Sequence, residues 1–149
     1  MLRSETEHTM NCPECNAPNN ACEAHFHECL AKEFENSLYG SVHHLTVVAY
    51  MLQHSSQLTR EGWLHERALL REFLHENKTP AEIRKRDAPN VDSGKRDFKI
   101  KSRDGQPVID KTTWAKTILD VRLDDPETYR TDIHAWAQAV LGDVEELEI

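Results

Sequence analysis

A mainly α-helical bundle is the fold class that the sequence predicts, and three observations support it. Glycine (5) and proline (6) are scarce among the 149 residues, which disfavours a turn-rich all-β fold. Apolar residues recur at three- and four-residue steps over most of the chain, as on the buried face of a helix. The length and the apolar fraction of 38% suit one domain with one core. We expect about five helices and a small β-hairpin insertion.

The boundaries of the helices follow from apolar periodicity and from capping residues. Polar residues 1–11 predict a flexible tail, and residues 12–149 predict a single domain. Asparagine, threonine and aspartate can cap the start of a helix, and proline fits its first position. On these signals we expect helices over residues 21 to about 39, 41 to about 55 and 59 to about 76. We also expect a short helix that starts at residue 79, another over residues 114–121, and a last helix from residue 125 onward.

Residues from about 87 to 111 break the helical pattern and predict the insertion. The segment 87–94 reads Asp-Ala-Pro-Asn-Val-Asp-Ser-Gly, which is typical of a loop. Residues 98–100 alternate in polarity, Asp104-Gly105 can form a turn, and Val108-Ile109 could pair back as a second strand. A lone hairpin is marginally stable, so we expect this one to pack against the helices.

Charge and composition argue against several classes of partner. The net charge of −8 argues against a nucleic-acid backbone or an anionic membrane as the main partner. The sequence has no apolar run of membrane-spanning length, and its first residues lack the apolar core of a secretory signal. We therefore expect a reducing cytoplasm, where disulfides are disfavoured and a Cys-x-x-Cys pair indicates metal or redox chemistry.

All four cysteines lie between residues 12 and 29, and their spacing predicts a metal site. Cys12 and Cys15 form a Cys-x-x-Cys pair, which lets one turn direct two thiolates at a tetrahedral ion. Cys22 falls on the first turn of the following helix, where the helix dipole favours an anion. His25 and Cys29 follow on the same helix, so spacing alone leaves the second half of the site open. A redox pair is the alternative, but no strand precedes it as a thioredoxin-like motif requires.

Histidines on the next two helices add further candidates. His43, Tyr50 and His54 fall on one helical stripe, and His65 on the third helix could approach it. His43 and His54 are eleven residues apart, which is about 16 Å of helical rise. One ion therefore cannot bind both histidines directly.

Several longer motifs carry a family resemblance. The chain reads Cys12-Pro-Glu-Cys15-Asn-Ala, Ala21-Cys22-Glu-Ala, Leu30-Ala-Lys-Glu33-Phe and His43-His-Leu-Thr-Val-Val-Ala-Tyr50-Met-Leu-Gln53-His54. These motifs resemble an uncharacterised bacterial family, domain of unknown function 5946, whose members read Cys-Pro-x-Cys-Gly-Ala, Ala-Cys-Trp-Ala, Leu-Ala-Arg-Glu-Tyr and His-Arg-Leu-Thr-Val-Asp-Ala-Tyr-x-x-Gln-His. The sequence departs from the family at Asn16, which replaces a glycine, and at Tyr129, where the family tends to have histidine.

The resemblance narrows the set of candidate site residues. It does not indicate the protein's function, since the family has no established activity. It implies that Cys29 and His25 lie outside the shared pattern. The residues inside it are Cys12, Cys15, Cys22, His43, Tyr50, Gln53, His54 and His65. We therefore expect Zn²⁺ bound by three cysteines and one histidine, with His54 preferred to His43, in an amino-terminal zinc knuckle.

Three functional hypotheses remain open at this point, and the sequence does not decide whether the protein is an enzyme. The first is a structural zinc ion that supports a surface for an unknown protein or small-molecule partner. The second is a metalloenzyme resembling the DinB-like helical bundles in fold, with a pocket lined by His43, Tyr50, His54 and His65. The third is a redox sensor that releases zinc when its thiolates are oxidised.

Overall fold

Six α-helices and three short 3-10 turns make up the described chain. The computed structural model describes residues 10–92 and 105–149, with the backbone alone for 89–92. The helices are α1 (Ala21–Glu35), α2 (Ser37–Gly40), α3 (His43–Gln53), α4 (Arg60–His75), α5 (Pro80–Asp92) and α6 (Pro126–Val144), and the 3-10 turns are Pro18–Asn20, Ser55–Gln57 and Ile118–Asp120. No strand occurs within these two ranges. The prediction of a mainly helical fold is confirmed.

Capping residues set the starts of three helices where the sequence predicts them. The Thr59 hydroxyl accepts a hydrogen bond from the Gly62 amide at 2.9 Å, at the start of α4. Asp125 caps α6 by accepting from the Thr128 amide at 2.8 Å. At α5, Thr79 and Glu82 exchange side-chain and backbone hydrogen bonds in a capping box.

The first predicted helix is wrong at its end, because the helix stops at Glu35 and is interrupted at Asn36. Its backbone is extended (φ −140°, ψ 118°), and its side chain accepts a hydrogen bond from the Leu38 amide to start α2. This is the competition with helical hydrogen bonding that makes asparagine a capping residue. Gly40 then packs so closely on α1 that an added Cβ would lie 2.7 Å from the Glu33 carbonyl oxygen.

The insertion also differs from its prediction. Helix α5 continues to Asp92 instead of giving way to a loop near residue 87. The first predicted strand, at 98–100, lies outside the described residues. The second one, at Val108 and Ile109, is a bend whose two backbone amides donate to the Ser55 hydroxyl at 2.9 and 3.3 Å. The β-hairpin is therefore not supported. The helix predicted over 114–121 shortens to the Ile118–Asp120 turn.

Helix α3 is the centre of the core and contacts α1, α4 and α6. Its apolar stripe is buried, as are the facing side chains of α4 and α6. The fully or nearly fully buried members are Leu45, Val48, Ala49 and Leu52 of α3, Trp63 and Leu70 of α4, and Ile133, Trp136 and Val140 of α6. In the part of the chain that is described, no helix combines the length and apolarity needed to cross a lipid bilayer.

Gln53 connects three parts of the fold through its buried amide. Its nitrogen donates to the Lys116 carbonyl at 2.8 Å, and its oxygen accepts from the Trp136 indole at 3.1 Å. Both ends of the amide are thereby satisfied inside the core. The last turn of α3, which immediately precedes His54, is in this way fixed against α6 and the segment before the Ile118–Asp120 turn.

Candidate metal centre

A tight turn at Cys12–Ala17 brings the first two cysteines together. The Asn16 amide donates to the Cys12 carbonyl, and the Cys12 amide donates to the Ala17 carbonyl, both at 2.9 Å. Asn16 has a φ of 66°, in the left-handed region. Glycine and asparagine tolerate that conformation best. The turn therefore explains why asparagine can replace a glycine directly after the knuckle.

Backbone amides point at the sulfur atoms of this turn. The amides of Glu14 and Cys15 both lie 3.5 Å from Cys12 Sγ as donors. The Ala17 amide bonds to Cys15, and the Glu23 amide bonds to Cys22 at the start of α1. Donors of this kind stabilise thiolates, since each contributes positive partial charge next to a sulfur.

His54 lies just beyond the end of α3. Its Nδ1 lies 2.8 Å from the Tyr50 carbonyl oxygen, so Nδ1 carries the proton and donates it. Burial lowers the pKa of His54, which favours the neutral ring. The other nitrogen, Nε2, is buried and has no hydrogen-bond partner among the described residues. A neutral imidazole that donates from Nδ1 and keeps the Nε2 lone pair free has the form in which histidine binds metal ions.

The three sulfurs and the His54 nitrogen converge on one point. One ligand atom from each of Cys12, Cys15, Cys22 and His54 can be chosen such that all lie within 4.8 Å of one another. The four residues are 2–6% exposed. The cluster could hold a metal ion, and a bound ion would satisfy the otherwise unpartnered Nε2. These four residues therefore form a donor set that suits a metal ion.

Electrostatics give a second reason for a cation at this point. Burial raises the pKa of Cys15, and the neighbouring Cys12 and Cys22 raise it further. Burial likewise raises the pKa of Cys22. Three buried thiols this close would not all become thiolates unless a positive charge replaced the lost protons. The raised pKa values of Cys15 and Cys22 thus favour the protonated thiols unless a cation is bound beside them.

The alternative ligands from the sequence lie elsewhere. His25 Nε2 hydrogen-bonds with the Val121 carbonyl at 2.8 Å. Cys29 is fully buried beside Tyr129, and burial raises its pKa to about 12. His43 Nδ1 bonds to Glu33 Oε1 at 2.6 Å. None of the three belongs to the cluster found in the described chain.

The four residues of the predicted enzyme pocket do not line one pocket: Tyr50 and His54 stack on each other, whereas His43 lies at the other end of α3. Tyr50 is covered on both ring faces, by Phe26 with ring centroids 3.8 Å apart and by His54 at 4.0 Å. Burial raises the pKa of Tyr50, so its hydroxyl stays protonated. His43 lines a groove beside α1 at the far end of α3. His65 is half-buried on α4.

Glu14 was not singled out by the sequence, yet it anchors the knuckle. Its carboxylate accepts from the Ser56 amide at 2.9 Å and from the Ser56 hydroxyl at 2.8 Å. Its backbone carbonyl accepts from the Trp114 indole at 2.9 Å. These partners are far away in sequence, and nothing in the local pattern around Glu14 signals them.

Cys29→Ala is expected to keep about one metal ion per chain, because Cys29 lies outside the cluster. The substitution removes a buried sulfur and leaves a small cavity, which should cost about 1 kcal/mol of unfolding free energy. Metal analysis and denaturant unfolding measure the two effects. Loss of the metal in this variant would contradict the ligand set.

Comparison with known proteins agrees with the family resemblance. The sequence model of a family of unknown function, DUF5946, matches residues 10–145. No curated protein and no solved structure matches the chain. The matched region contains the entire cluster and all six helices. The chain belongs to the DUF5946 family of unknown function.

Proposed function

We propose that the protein is a cytoplasmic zinc-binding protein whose ion is structural and supports an interaction or ligand-binding surface elsewhere on the bundle. The observation that carries this proposal is the closed donor set, three cysteines and one histidine, all buried. Structural zinc sites have four protein ligands, whereas catalytic zinc sites keep one position for water. The four residues would leave no such position.

Zinc is the metal that suits this donor set best. Thiolate and imidazole ligands in a tetrahedral arrangement are typical of Zn²⁺, and calcium or magnesium would require oxygen ligands. Three thiolates and a neutral imidazole give the zinc site a net charge of −1. The amides that point at Cys12, Cys15 and Cys22 offset that charge.

A structural ion at this place would join three parts of the chain that are separated in sequence. It would fix the turn at Cys12 and Cys15 and the start of α1 to the residue after α3. The hydrogen bonds of Glu14 to Ser56 and Trp114 extend the same junction. Loss of the ion should therefore loosen the amino-terminal third of the bundle.

Burial also favours this role over a redox sensor. An oxidant must reach a thiolate, and redox-sensing cysteines are accessible for that reason. Cys12, Cys15 and Cys22 are between 2% and 6% exposed. The protein is expected to retain its metal under mild oxidation.

X-ray absorption on purified protein tests the proposal. We expect about one zinc per chain with three sulfur neighbours at about 2.3 Å and one nitrogen at about 2.0 Å. A bound water in place of the nitrogen would indicate a catalytic site. A different metal, or protein that folds normally without any, would overturn the proposal.

A further inference from the structure

Tyr50 contacts His54 in two different ways. The two rings are stacked, with centroids 4.0 Å apart and planes inclined at 24°. The backbone carbonyl of Tyr50 also accepts the hydrogen bond from His54 Nδ1 at 2.8 Å. One residue therefore meets the imidazole both at its face and at its edge.

His54 depends on such contacts because it lies outside the helix. Helix α3 ends at Gln53, and the backbone of His54 has φ −124° and ψ 66°. The hydrogen bond fixes the position of Nδ1, but a single bond constrains the tilt of the ring plane only weakly. The Nε2 lone pair lies in that plane, so its direction depends on what holds the face of the ring.

Phe26 supports the stack from the other side. Its ring is nearly parallel to that of Tyr50, with centroids 3.8 Å apart and planes inclined at 4°. Phe26 is partly buried on α1, four residues after Cys22 and thus on the same face of the helix. The three rings therefore form a continuous path from the helix that carries Cys22 to the imidazole of His54.

Ordinary core packing does not account for the orientation of His54. A buried histidine with only a packing role is expected to satisfy both ring nitrogens. Here Nδ1 is satisfied, whereas Nε2 is buried without a hydrogen-bond partner in the described part of the chain. The stack thus holds Nε2 in a direction that leaves it only the three cysteine sulfurs as neighbours in a donor cluster.

We propose that Tyr50 is a positioning residue of the metal centre: its ring, supported by Phe26, holds the imidazole of His54 in the plane that directs Nε2 at the ion. The inference rests on the proposed function, because it concerns the ion that the cluster would bind. The face of the aromatic ring performs this role and the hydroxyl does not. Phenylalanine at position 50 should therefore preserve it, and an aliphatic side chain should not.

Zinc competition with a chromophoric chelator on Tyr50→Leu and Tyr50→Phe tests the inference. Leucine keeps the backbone carbonyl, so this variant removes the ring alone. Loss of an outer partner of a ligand costs about 10–100-fold in metal affinity, and we expect a loss of that size in Tyr50→Leu and less than about twofold in Tyr50→Phe. Phe26→Leu removes only the support and should weaken binding by about threefold, in a partly buried position where folding is at less risk.

Tyr39→Leu is the matched control. Tyr39 is 5% exposed and Tyr50 is 7% exposed, so the same substitution removes a similarly buried ring. Tyr39 contacts Tyr129 instead, and its hydroxyl donates to the Leu123 carbonyl at 3.1 Å. We expect this variant to melt at a lower temperature while its zinc affinity stays unchanged.

Two spectroscopic signals separate positioning from a general loss of stability. The d–d bands of bound Co²⁺ should shift in Tyr50→Leu, because the direction of the nitrogen ligand changes. The ring protons of His54 lie over an aromatic face, so their NMR signals should be shifted upfield in the wild type and in Tyr50→Phe but not in Tyr50→Leu. Both signals are recorded well below the melting temperature of the least stable variant.

Several results would overturn the inference. Wild-type zinc affinity and unchanged cobalt bands in both Tyr50→Leu and Phe26→Leu would show that the stack does not position His54. An equal loss in Tyr50→Phe and Tyr50→Leu would assign the effect to the hydroxyl, and an equal loss in Tyr39→Leu would assign it to stability. A wild-type protein without zinc would overturn the proposed function as well, whereas the other results would leave it standing.

Discussion

Cys15→Ser is expected to abolish zinc binding and to unfold the amino-terminal part of the bundle. Serine has nearly the same size as cysteine, but its hydroxyl is a far weaker zinc ligand than a thiolate. Structural zinc contributes about 10–16 kcal/mol of binding free energy in small zinc domains, and whole domains are stable by about 5–15 kcal/mol. Even partial loss of that contribution should lower the melting temperature by tens of degrees.

Metal analysis and thermal unfolding of Cys15→Ser measure this result, with Cys29→Ala purified in parallel. The two cysteines are both buried and differ in whether they belong to the cluster. We expect zinc near zero in the first variant and near one per chain in the second. A Cys15→Ser protein with full zinc and unchanged melting would contradict both the ligand set and the structural role.

Local signals in the sequence were enough to predict most helices and most of the cluster. Thr59 and Asp125 are caps whose partners lie three residues away, so the pattern that predicts them is contained in one short stretch. The same is true of Cys12, Cys15 and Cys22, because a single turn and the next helix start bring them together. Short-range geometry is what sequence patterns encode best.

Other features depend on tertiary contacts, and the sequence did not predict them. Tyr129 lies 96 residues from Glu33 and completes its hydrogen bonds from another helix. Val108 and Ile109 have strand-like side chains, but their amides bond to the Ser55 hydroxyl instead of a second strand. Propensity is overridden when a distant partner satisfies the backbone.

The choice between His54 and His43 shows where helical periodicity stops being informative. Both residues fall on one stripe if the helix is extended to residue 55, as the sequence suggests. In the structure α3 ends at Gln53, and His54 has φ −124° and ψ 66°, outside the helical region. That turn of the backbone, and not the stripe, directs Nε2 toward the three cysteines.

His54→Gln is therefore expected to weaken zinc binding strongly, whereas His43→Gln is not. Glutamine can still donate a hydrogen bond to the Tyr50 carbonyl, but it lacks a nitrogen lone pair for the metal. Loss of an outer partner of a ligand already costs about 10–100-fold in affinity, so loss of the ligand itself should cost about 100-fold or more. At saturating zinc this is about 2.7 kcal/mol, which corresponds to melting about 8 °C lower for a chain of this size.

Zinc competition with a chromophoric chelator measures the affinities, and cobalt substitution reports the ligands directly. The d–d bands of bound Co²⁺ should shift in His54→Gln, because the nitrogen ligand is lost, and should stay unchanged in His43→Gln. His43 is the matched control because it lies on the same helix, about three turns away, and its ring bonds to Glu33. If His43→Gln loses zinc while His54→Gln retains it, the fourth ligand has been assigned to the wrong end of α3.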